Sequence, residues 1–555
     1  MQHILIFLFF YTLILSSILG YGFATIKCLG PNIAKKEEHV GLYGLFIVIL
    51  LSYFTSLFFN HGIYHNLIFI FFGIFLFFKF HFKIRYKIFT YLFLFLFLFL
   101  FIFKNHDDFS YYHFPYIFYL VEFKTQLGIG NFNHGFRTPS SIFYLNSLFY
   151  LPLINDKGFN FGALIISGFS SYYFLIKLFN QFKLKKINFF TFYSVFSLGF
   201  INIFFYRIAE HGTDRSAQIL VLILVYEILK FLNLKKNLIK INFEIKNLIF
   251  PIYLISLIIS FKAFFVLYCI FFIPILIKVK KYLNIKNLKI LLFHISICSI
   301  LVSFVFLSYL FNTGCVVYPV SFTCISDLSW SISNDEVSRM NEWYQLWSKA
   351  GAAPDYRVEN REIYIQNFNW LNNWIDKYFF NKVSDFIIGV LFFILVNILT
   401  FLSATKNKLE KIKILNVILI IFILLFEWFL NHPALRYGGY VLIFLILILP
   451  TCLFLTKYAS NFKKMKNKIT FILILILLIS FARNINRISF EIKKYDYDPA
   501  NLVFYNIDQQ HLRINNKMKT LINELENCEK NQCNEDPNFI VKKFFDRYIF
   551  INKSF

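Results

Sequence analysis

Two neighbouring carboxylates stand directly after a long apolar run, in the sequence His106-Asp107-Asp108. Charged groups beside such a run are costly unless they are solvated, paired or bound to a cation. Asp107 or Asp108 could act as a general base toward an acceptor hydroxyl or amine, with His113 close by in the sequence. Either could also help to hold a divalent cation that neutralises a phosphate leaving group. The alternative is structural, since an aspartate here could cap the amphipathic segment 116–127.

A second group of ionisable residues occupies a short turn later in the chain. It contains Arg207, Glu210, His211, Asp214 and Arg215. The turn is too short to extend far from a membrane surface, so its charges either neutralise one another or face a cavity. In the second case Glu210, His211 or Asp214 would contact a substrate beside the first acidic stretch. If a metal ion binds, its candidate ligands are Asp107, Asp108 and Asp214.

Three isolated basic residues are candidates for binding an anionic group. Lys262 stands alone in the apolar stretch 250–277, and a lone cation at membrane depth needs a partner or a ligand. That partner could be a phosphate or a carboxylate, unless Lys262 only marks a turn between two short helices. Arg436, in the turn 432–439, offers two parallel N–H donors to a phosphate or a carboxylate. Arg137 could contact an anionic headgroup, or could simply extend from the interface toward water.

Aromatic residues are concentrated in the segment 312–383, which contains all but one of the six tryptophans. Trp and Tyr favour membrane interfaces, so the simplest interpretation is an aromatic belt. Aromatic platforms also stack on sugar rings, and Tyr318 and Trp330 are candidates for such a contact.

Two pairs of cysteines lie close in the sequence, Cys315 with Cys324 and Cys528 with Cys533. Two short-range disulfides would fit an oxidising compartment, and free thiols are the alternative. Neither pair has a histidine pair at zinc-ligand spacing. The sequence also contains no glycine-rich nucleotide loop.

The elements that must position these residues are apolar segments. The chain of 555 residues is 58% hydrophobic and 16% charged, and about fourteen segments approach the roughly 20 residues that span a bilayer. They lie near 3–25, 40–59, 65–82, 88–103, 159–178, 187–206, 215–232, 247–261, 263–277, 289–311, 384–403, 412–430, 438–456 and 468–482. The eighth and ninth are short and could form one broken or re-entrant element. The start of the chain lacks the basic region and cleavage site of a signal peptide, so we expect a retained first helix.

Clusters of lysine fall in alternate loops between these segments, and the positive-inside rule places such loops in the cytoplasm. This pattern, rather than binding to nucleic acid, accounts for the formal charge of +25. The remaining loops would lie outside. They are 60–64, 104–158, 207–214, 261–262, 312–383, 431–437 and the tail from residue 483. All the candidate site residues therefore share the outer face, which in a bacterial inner membrane is the periplasmic face.

The order of these motifs resembles that of bacterial polytopic membrane proteins related to the GT-C glycosyltransferase superfamily. The matching pieces are Asp107-Asp108-x-x-Tyr111-Tyr112-His113-x-Pro115, Gly128 to Ser147, Gly212-Thr213-Asp214, Lys262, Gly314 to Pro319, Asp327-Leu328-Ser329-Trp330 and Pro433 to Gly438. The resemblance extends over residues 100–455 and implies sugar transfer from a polyprenyl-phosphate donor, with Asp107 or Asp108 as the catalytic carboxylate. Here the acidic loop follows the fourth predicted span instead of the first, so three spans would be additions.

The sequence therefore predicts an all-α polytopic membrane protein with a GT-C-like domain over 1–482 and a small extramembrane region over 483–555. Interfacial helices are expected in the two large outside loops, 104–158 and 312–383. The expected activity is transfer of a sugar from a polyprenyl-phosphate donor to a glycan, lipid or protein acceptor. A transporter or flippase of lipid-linked glycans is the first alternative, and a polysaccharide polymerase or ligase of another fold is the second. Cofactors are undetermined, with a divalent cation as the one candidate.

Overall fold

The computed structural model describes residues 2–29, 35–103, 105–106, 108–207, 213–234, 246–280, 285–352, 358–403, 412–496, 498, 508–530 and 539–553. The helices of the first half are α1 (Gln2–Cys28), α2 (Val40–Ser56), α3 (Ile63–Lys79), α4 (Tyr86–Phe97), α5 (Phe114–Glu122), α6 (Ile129–Phe132), α7 (Ser141–Ser147), α8 (Phe161–Lys183), α9 (Phe189–Gly199), α10 (Thr213–Leu232) and α11 (Lys246–Phe261). Those of the second half are α12 (Ile273–Val279), α13 (Ile285–Thr313), α14 (Asn334–Lys349), α15 (Arg361–Ile365), α16 (Leu371–Trp374), α17 (Ser384–Phe401), α18 (Leu415–Asn431), α19 (Gly439–Lys457), α20 (Phe462–Tyr495) and α21 (Asp508–Glu529). Two antiparallel strands, β1 (Phe539–Phe544) and β2 (Arg547–Asn552), end the described chain.

The protein is a helical membrane protein. Within the described residues, seven helical segments are long and apolar enough to cross a bilayer: Gln2–Cys28, Glu37–Ser56, Asp156–Lys183, Asn287–Thr313, Leu371–Phe401, Gly439–Lys457 and Phe462–Tyr495. Six shorter apolar helices accompany them: Ile63–Lys79, Tyr86–Leu100, Phe189–Phe204, Asn247–Phe261, Ala263–Val279 and Leu415–Asn431. Together with α10, these helices overlap every segment that the hydrophobic pattern predicts.

The helices are arranged around α8 and α10. The segment containing α8 is 94% buried within the protein, whereas those containing α13, α17 and α20 are each 28% buried. Almost every side chain of α10 is buried as well. Because helix packing inside a bilayer gains little from the hydrophobic effect, the apolar faces of the outer helices can remain exposed to lipid. Polar residues on α8 and α10, by contrast, must find partners within the protein.

The chain reverses direction at Lys262. Residue Lys262 has extended backbone angles, φ −154° and ψ 114°, and a 3₁₀ helix follows over Ala263–Phe272. Further on, Lys278 in α12 donates hydrogen bonds to the carbonyl oxygens of Phe231 and Leu232, at the last turn of α10. The eighth and ninth predicted segments are therefore two antiparallel elements. The longer rise of a 3₁₀ helix, about 2.0 Å per residue, extends the second one to roughly 30 Å, the thickness of a hydrocarbon core.

Loops that the lysine pattern assigns to one face contact one another in the structure. At one end of the helices, Arg137 of the first large loop pairs with Glu336 of the second at 2.6 Å. At the other end, Arg85 pairs with Glu37 at 3.3 Å, and the backbone N–H of Lys413 donates to Asn233 at 2.8 Å. Each of these three contacts joins loops that the lysine pattern assigns to the same face.

The first large loop departs from expectation. We expected interfacial helices in the loop 104–158, but every residue of α7, which lies in this loop, is buried inside the protein. Ser141 there donates to the Tyr53 hydroxyl at 3.1 Å, and Ser52 donates to the Tyr144 carbonyl oxygen at 2.6 Å. The small and aromatic side chains that suggested an interface instead pack α7 against α2.

The C-terminal region also differs from expectation. Helix α20 continues without a break to Tyr495, so the last predicted span and the first residues of the predicted extramembrane region share one helix. The small sheet was not predicted and makes the protein not strictly all-α. Leu127 joins this sheet, donating to the Tyr548 carbonyl oxygen at 3.0 Å and accepting from the Phe550 N–H at 2.9 Å. The C-terminal hairpin is thereby attached to the first large loop.

Candidate functional site

Four charged side chains from distant parts of the sequence meet at one end of the helices. Arg436 donates from Nε to Asp214 Oδ2 at 2.8 Å and from Nη2 to Asp108 Oδ2 at 3.0 Å. The ammonium of Lys262 lies 3.1 Å from Asp214 Oδ1. We refer to Asp108, Asp214, Lys262 and Arg436 as the charged cluster.

Each member of the charged cluster is positioned at the end of an element. Asp108 precedes a π-helical turn over Phe109–His113, and its side chain makes no capping hydrogen bond there, so Asp108 does not act as a helix cap. Asp214 lies in the first turn of α10, and Lys262 occupies the reversal between two apolar helices. Arg436 belongs to a 3₁₀ turn, after which Gly438 adopts a φ of +100° that favours glycine.

The loop that carries Arg436 is held from several sides. Gln218 of α10 donates to the Arg436 carbonyl oxygen and accepts from the Val441 N–H, both at 3.1 Å. The indole N–H groups of Trp374 and Trp428 donate to the carbonyl oxygens of Pro433 and Ala434, each at 2.9 Å. These contacts fix the backbone on both sides of the guanidinium. Pre-organisation of this kind reduces the entropy lost when a ligand binds.

Sequence reasoning did not identify these supporting residues. Gln218 lies four positions after Asp214, on the same face of α10, and is a fully buried polar residue in an apolar helix. A glutamine at this position of an apolar helix was the sequence signal that could have identified it as a supporting residue. Trp374 and Trp428 gave no comparable signal, because an interfacial tryptophan and a loop-anchoring tryptophan have the same sequence context.

The charged cluster retains unused donors and acceptors. Arg436 Nη1 and Asp108 Oδ1 make no hydrogen bond with any residue that the structure describes. The Asp108 side chain is 27% exposed, whereas that of Asp214 is 9% exposed. Asp214 therefore serves as the buried counter-ion of two cations. Asp108 and Arg436 keep atoms that can reach a ligand.

The ionisation of Asp108 is set by its neighbours. Burial raises its pKa, but nearby positive charge, that of Arg436 first, outweighs this effect and holds the pKa below the usual aspartate value. Asp108 is therefore ionised at neutral pH. A bound anion that draws on the charge of Arg436 would raise this pKa, because like charges disfavour ionisation.

His113 lies one helical turn beyond Asp108 and is buried. Burial lowers its pKa to about 3, so the imidazole is neutral at physiological pH. Its Nε2 has no hydrogen-bond partner among the described residues. His113 is thus a neutral group that can donate or accept a hydrogen bond beside Asp108.

Aromatic rings line one side of Arg436. Its guanidinium carbon lies 5.7 Å from the ring centroid of Trp347 and 5.8 Å from that of Tyr437. These distances suit cation–π attraction. Trp347, on α14, therefore brings the second large outside loop to the charged cluster and offers a flat apolar surface beside it.

Other predicted residues lie elsewhere. Arg137 is buried, donates to the Gly130 carbonyl oxygen at 2.9 Å and pairs with Glu336, so it does not extend toward water. The Tyr318 hydroxyl is 3.5 Å from Arg137 Nη1. Trp330 donates to the Leu310 carbonyl oxygen at 3.0 Å. No contact among the described residues brings Arg137, Tyr318 or Trp330 to the charged cluster.

Some predicted residues fall outside the part of the chain that the structure describes. These are Asp107, Glu210, His211 and Cys533. Cys315 and Cys324 form a disulfide at the start of the second large loop. Cys528 is also disulfide-bonded.

The donor set does not fit a divalent cation between Asp108 and Asp214. Lys262 faces one oxygen of Asp214 and Arg436 the other, and Arg436 also holds Asp108. Side-chain cations thus already neutralise the carboxylates that would have to bind the ion. The described residues contain no group of three or more His, Cys, Asp or Glu side chains suited to a metal.

Comparison with known proteins places the chain in a family. The family model described as "Domain of unknown function (DUF8201)" matches residues 4–443, a range that contains the whole charged cluster. No curated protein and no solved structure matches the chain. Since the family model covers most of the chain, this protein belongs to the DUF8201 family.

Proposed function

We propose that the protein is a membrane glycosyltransferase that moves a sugar from a polyprenyl-phosphate donor to a glycan, lipid or protein acceptor. The observation that carries this proposal is the charged cluster itself. It joins a partly exposed carboxylate to two cations at one end of the helices, where a lipid-linked phosphate and a polar acceptor could meet.

The cations suit a phosphate leaving group. Arg436 has a free Nη1, and Lys262 has a single carboxylate partner among the described residues. Positive charge placed where negative charge develops is the main electrostatic source of catalysis in such transfers. The loop around Arg436 is held rigidly, so little reorganisation is needed when the phosphate charge increases.

The carboxylate suits a general base. In the proposed inverting step, the acceptor oxygen forms a bond to the anomeric carbon of the sugar and gives its proton to Asp108 Oδ1. The bond between the anomeric carbon and the phosphate oxygen breaks, and its electron pair leaves with the polyprenyl phosphate. Asp108 Oδ2 stays on Arg436, which orients Oδ1, while Asp214 keeps both cations in place. No divalent cation is required by this step.

The rest of the proposal concerns the contact with the sugar, the number of membrane spans and the orientation in the membrane. Trp347 and Tyr437 would stack on a sugar ring, as aromatic side chains in carbohydrate sites do. The fourteen predicted segments would all cross the membrane in a GT-C-like arrangement. The lysine-rich loops would then face the cytoplasm of a bacterial cell and the charged cluster the periplasm.

The substitution Asp108→Asn tests the proposal. Purified protein in proteoliposomes would be given a panel of polyprenyl-phosphate-linked hexoses and a mixed glycan acceptor, and released polyprenyl phosphate would be measured by chromatography. We expect the variant to lose at least about 100-fold in rate, the usual contribution of a general base. Asp335→Asn, at an exposed position of α14, is the matched control and should keep full activity. Wild-type rates in Asp108→Asn, or no turnover of any donor by the wild type, would contradict the proposal.

A further inference from the structure

A second set of buried charges lies at the opposite end of the helices from the charged cluster. Lys177 of α8 contacts Glu38 at 2.8 Å and Glu227 of α10 at 2.9 Å, and all three side chains are almost fully buried. Glu227 and Asp214 are on the same helix, thirteen positions apart. At 1.5 Å per residue, the two charged groups are separated by roughly 20 Å along α10.

A cavity of about 410 Å³ opens above these buried charges. Its walls come from the residues before α2, from the last turns of α8 and from the end of α10. They are formed by Lys35, Lys36, Glu37, Glu38, Lys177, Asn180, Gln181, Tyr226 and Lys230. We call this cavity the lysine pocket.

The carboxylates of the lysine pocket are already paired. Glu37 binds Arg85 at 3.3 Å, and Glu38 binds Lys177. Beneath them, Glu227 contacts Lys177 closely and Lys230 only at 3.6 Å. The negative charges are thus satisfied within the protein and are not available to a bound cation.

The cations of the lysine pocket are in excess. Lys35 and Lys36 form no ion pair with any residue that the structure describes, and the side chain of Lys230 is 37% exposed. The side-chain oxygen of Asn180 accepts from Arg85, and that of Gln181 accepts from Asn188. Their NH₂ groups make no bond to a described residue. Apart from the second oxygen of Glu38, the polar groups without a partner among the described residues are therefore donors: the ammonium groups of Lys35 and Lys36 and the two amide NH₂ groups.

We propose that the lysine pocket binds a phosphate group. Phosphate oxygens accept hydrogen bonds from ammonium and amide donors. Because three separate elements supply those donors, they can contact such a group from more than one side. The pocket lies where the chain leaves the apolar helices. Basic pockets at that depth bind the phosphates of anionic lipid headgroups. A soluble phosphate compound offers the same chemistry. This site is independent of the charged cluster and of the reaction proposed for it.

Native mass spectrometry of the detergent-purified protein tests this inference, because it measures the mass of each protein–ligand complex. The probes are dioleoylphosphatidylglycerol for a lipid headgroup and inorganic pyrophosphate for a soluble phosphate, with dioleoylphosphatidylcholine as the zwitterionic control lipid. The pocket variants are Lys36→Gln and Lys36→Gln/Lys230→Gln. Lys183→Gln and Lys183→Gln/Lys186→Gln are matched controls, since both lysines are exposed at the same end of the helices but do not line the pocket.

We expect one of the two phosphate probes to bind more tightly than phosphatidylcholine, and the probe that binds identifies the source. Affinity should fall about fivefold for each pocket lysine removed, since a lysine near an anionic headgroup contributes on the order of this factor. The control variants should bind as the wild type does. The inference is overturned if neither probe binds above the control lipid, or if pocket and control variants lose affinity equally. A thermal melt of each variant without ligand separates lost binding from lost folding. Neither Lys36 nor Lys183 has an ion-pair partner among the described residues, whereas Lys230 lies 3.6 Å from Glu227, so the melt is most important for the double pocket variant.

Discussion

At the scale of single residues, Asp108 and Asp214 differ in burial and therefore in role. Asp214 is nearly inaccessible and balances two permanent cations, whereas Asp108 is partly exposed and balances Arg436, with the His106 imidazole 3.4 Å from the same oxygen. Removing one partner of a buried ion pair leaves an uncompensated charge, at a cost of about 3–5 kcal/mol. We expect Asp214→Asn to destabilise the purified protein by this order and Asp108→Asn by clearly less. Thermal denaturation in detergent measures the difference.

A double variant identifies the cause of that loss. If Asp214→Asn acts by stranding positive charge, adding Lys262→Gln should restore part of the lost stability, because one of the two stranded cations is then removed. Addition of the two single losses would show instead that Asp214 and Lys262 contribute independently.

The ionisation of Asp108 predicts how activity depends on pH. Its pKa is held below the ordinary value of about 4. A carboxyl group with a depressed pKa stays ionised until the pH falls below that value. We therefore expect kcat/KM, which reports the free enzyme, to be constant from about pH 5 to pH 7. Steady-state rates in proteoliposomes across this range check it.

Because His113 is neutral, the same pH profile can distinguish Asp108 from His113 as the group that carries the essential proton. Because burial holds the pKa of His113 near 3, this histidine should not titrate between pH 5 and pH 7 either. The His113→Gln variant should accordingly show a profile of the same shape, whatever its absolute rate. An acid limb near pH 6.5 that disappears in this variant would mean that His113 carries the essential proton.

At the scale of elements, the C-terminal hairpin is attached to the loop that carries Asp108. Besides the pairing at Leu127, the Tyr548 N–H donates to the Gln126 side chain at 2.6 Å, and Asn131 donates to the Phe550 carbonyl oxygen at 2.9 Å. The family match ends at residue 443, so the hairpin lies beyond the matched region, whereas the loop that it contacts lies within it. We expect deletion of residues 531–555 to permit membrane insertion but to loosen the loop 104–158.

Limited proteolysis measures that loosening. Cleavage within 104–158 should become faster in the deletion variant, because polar atoms of Gln126, Leu127 and Asn131 lose their partners. A shorter deletion that removes only the last two residues provides the control. Equal cleavage rates in the two variants would show that the hairpin does not stabilise this loop.

The elements also show where sequence reasoning succeeds and where it fails. Apolar length predicted all seven helical segments that are long and apolar enough to cross a bilayer, because roughly 20 apolar residues have few other stable arrangements. The hairpin was missed because its turn places Phe545 at a φ of 52°. Short hairpins usually signal such a turn by Asn or Gly, and neither is present here. The burial of α7 was missed because small and aromatic residues serve helix packing and interfaces alike.

At the scale of the whole molecule, the charged cluster illustrates what a topology pattern can contribute. The energetic cost of charges beside apolar segments marked Asp108, Asp214, Lys262 and Arg436 as candidate site residues. The alternation of lysine-rich loops placed all four on one face, and the structure brings them into one cluster. The same reasoning placed Arg137 on that face, but in the structure it pairs with Glu336 instead. Lysine placement predicts the side of the membrane. The choice of partner depends on helix positions, which the sequence pattern alone does not determine.

The orientation of the whole molecule is the broadest prediction. Ser329, in the second large loop, and Lys186, after α8, are both exposed and lie in loops assigned to opposite faces. In a background in which the exposed thiols Cys28 and Cys269 are replaced by serine, Ser329→Cys and Lys186→Cys would be treated with a membrane-impermeant maleimide in intact spheroplasts. We expect the cysteine at 329 to be labelled and that at 186 to react only after the membrane is opened, because lysine-rich loops remain in the cytoplasm. Labelling of 186 in intact spheroplasts with protection of 329 would reverse the orientation. The charged cluster would then face the cytoplasm, and a periplasmic transfer reaction would have to be abandoned.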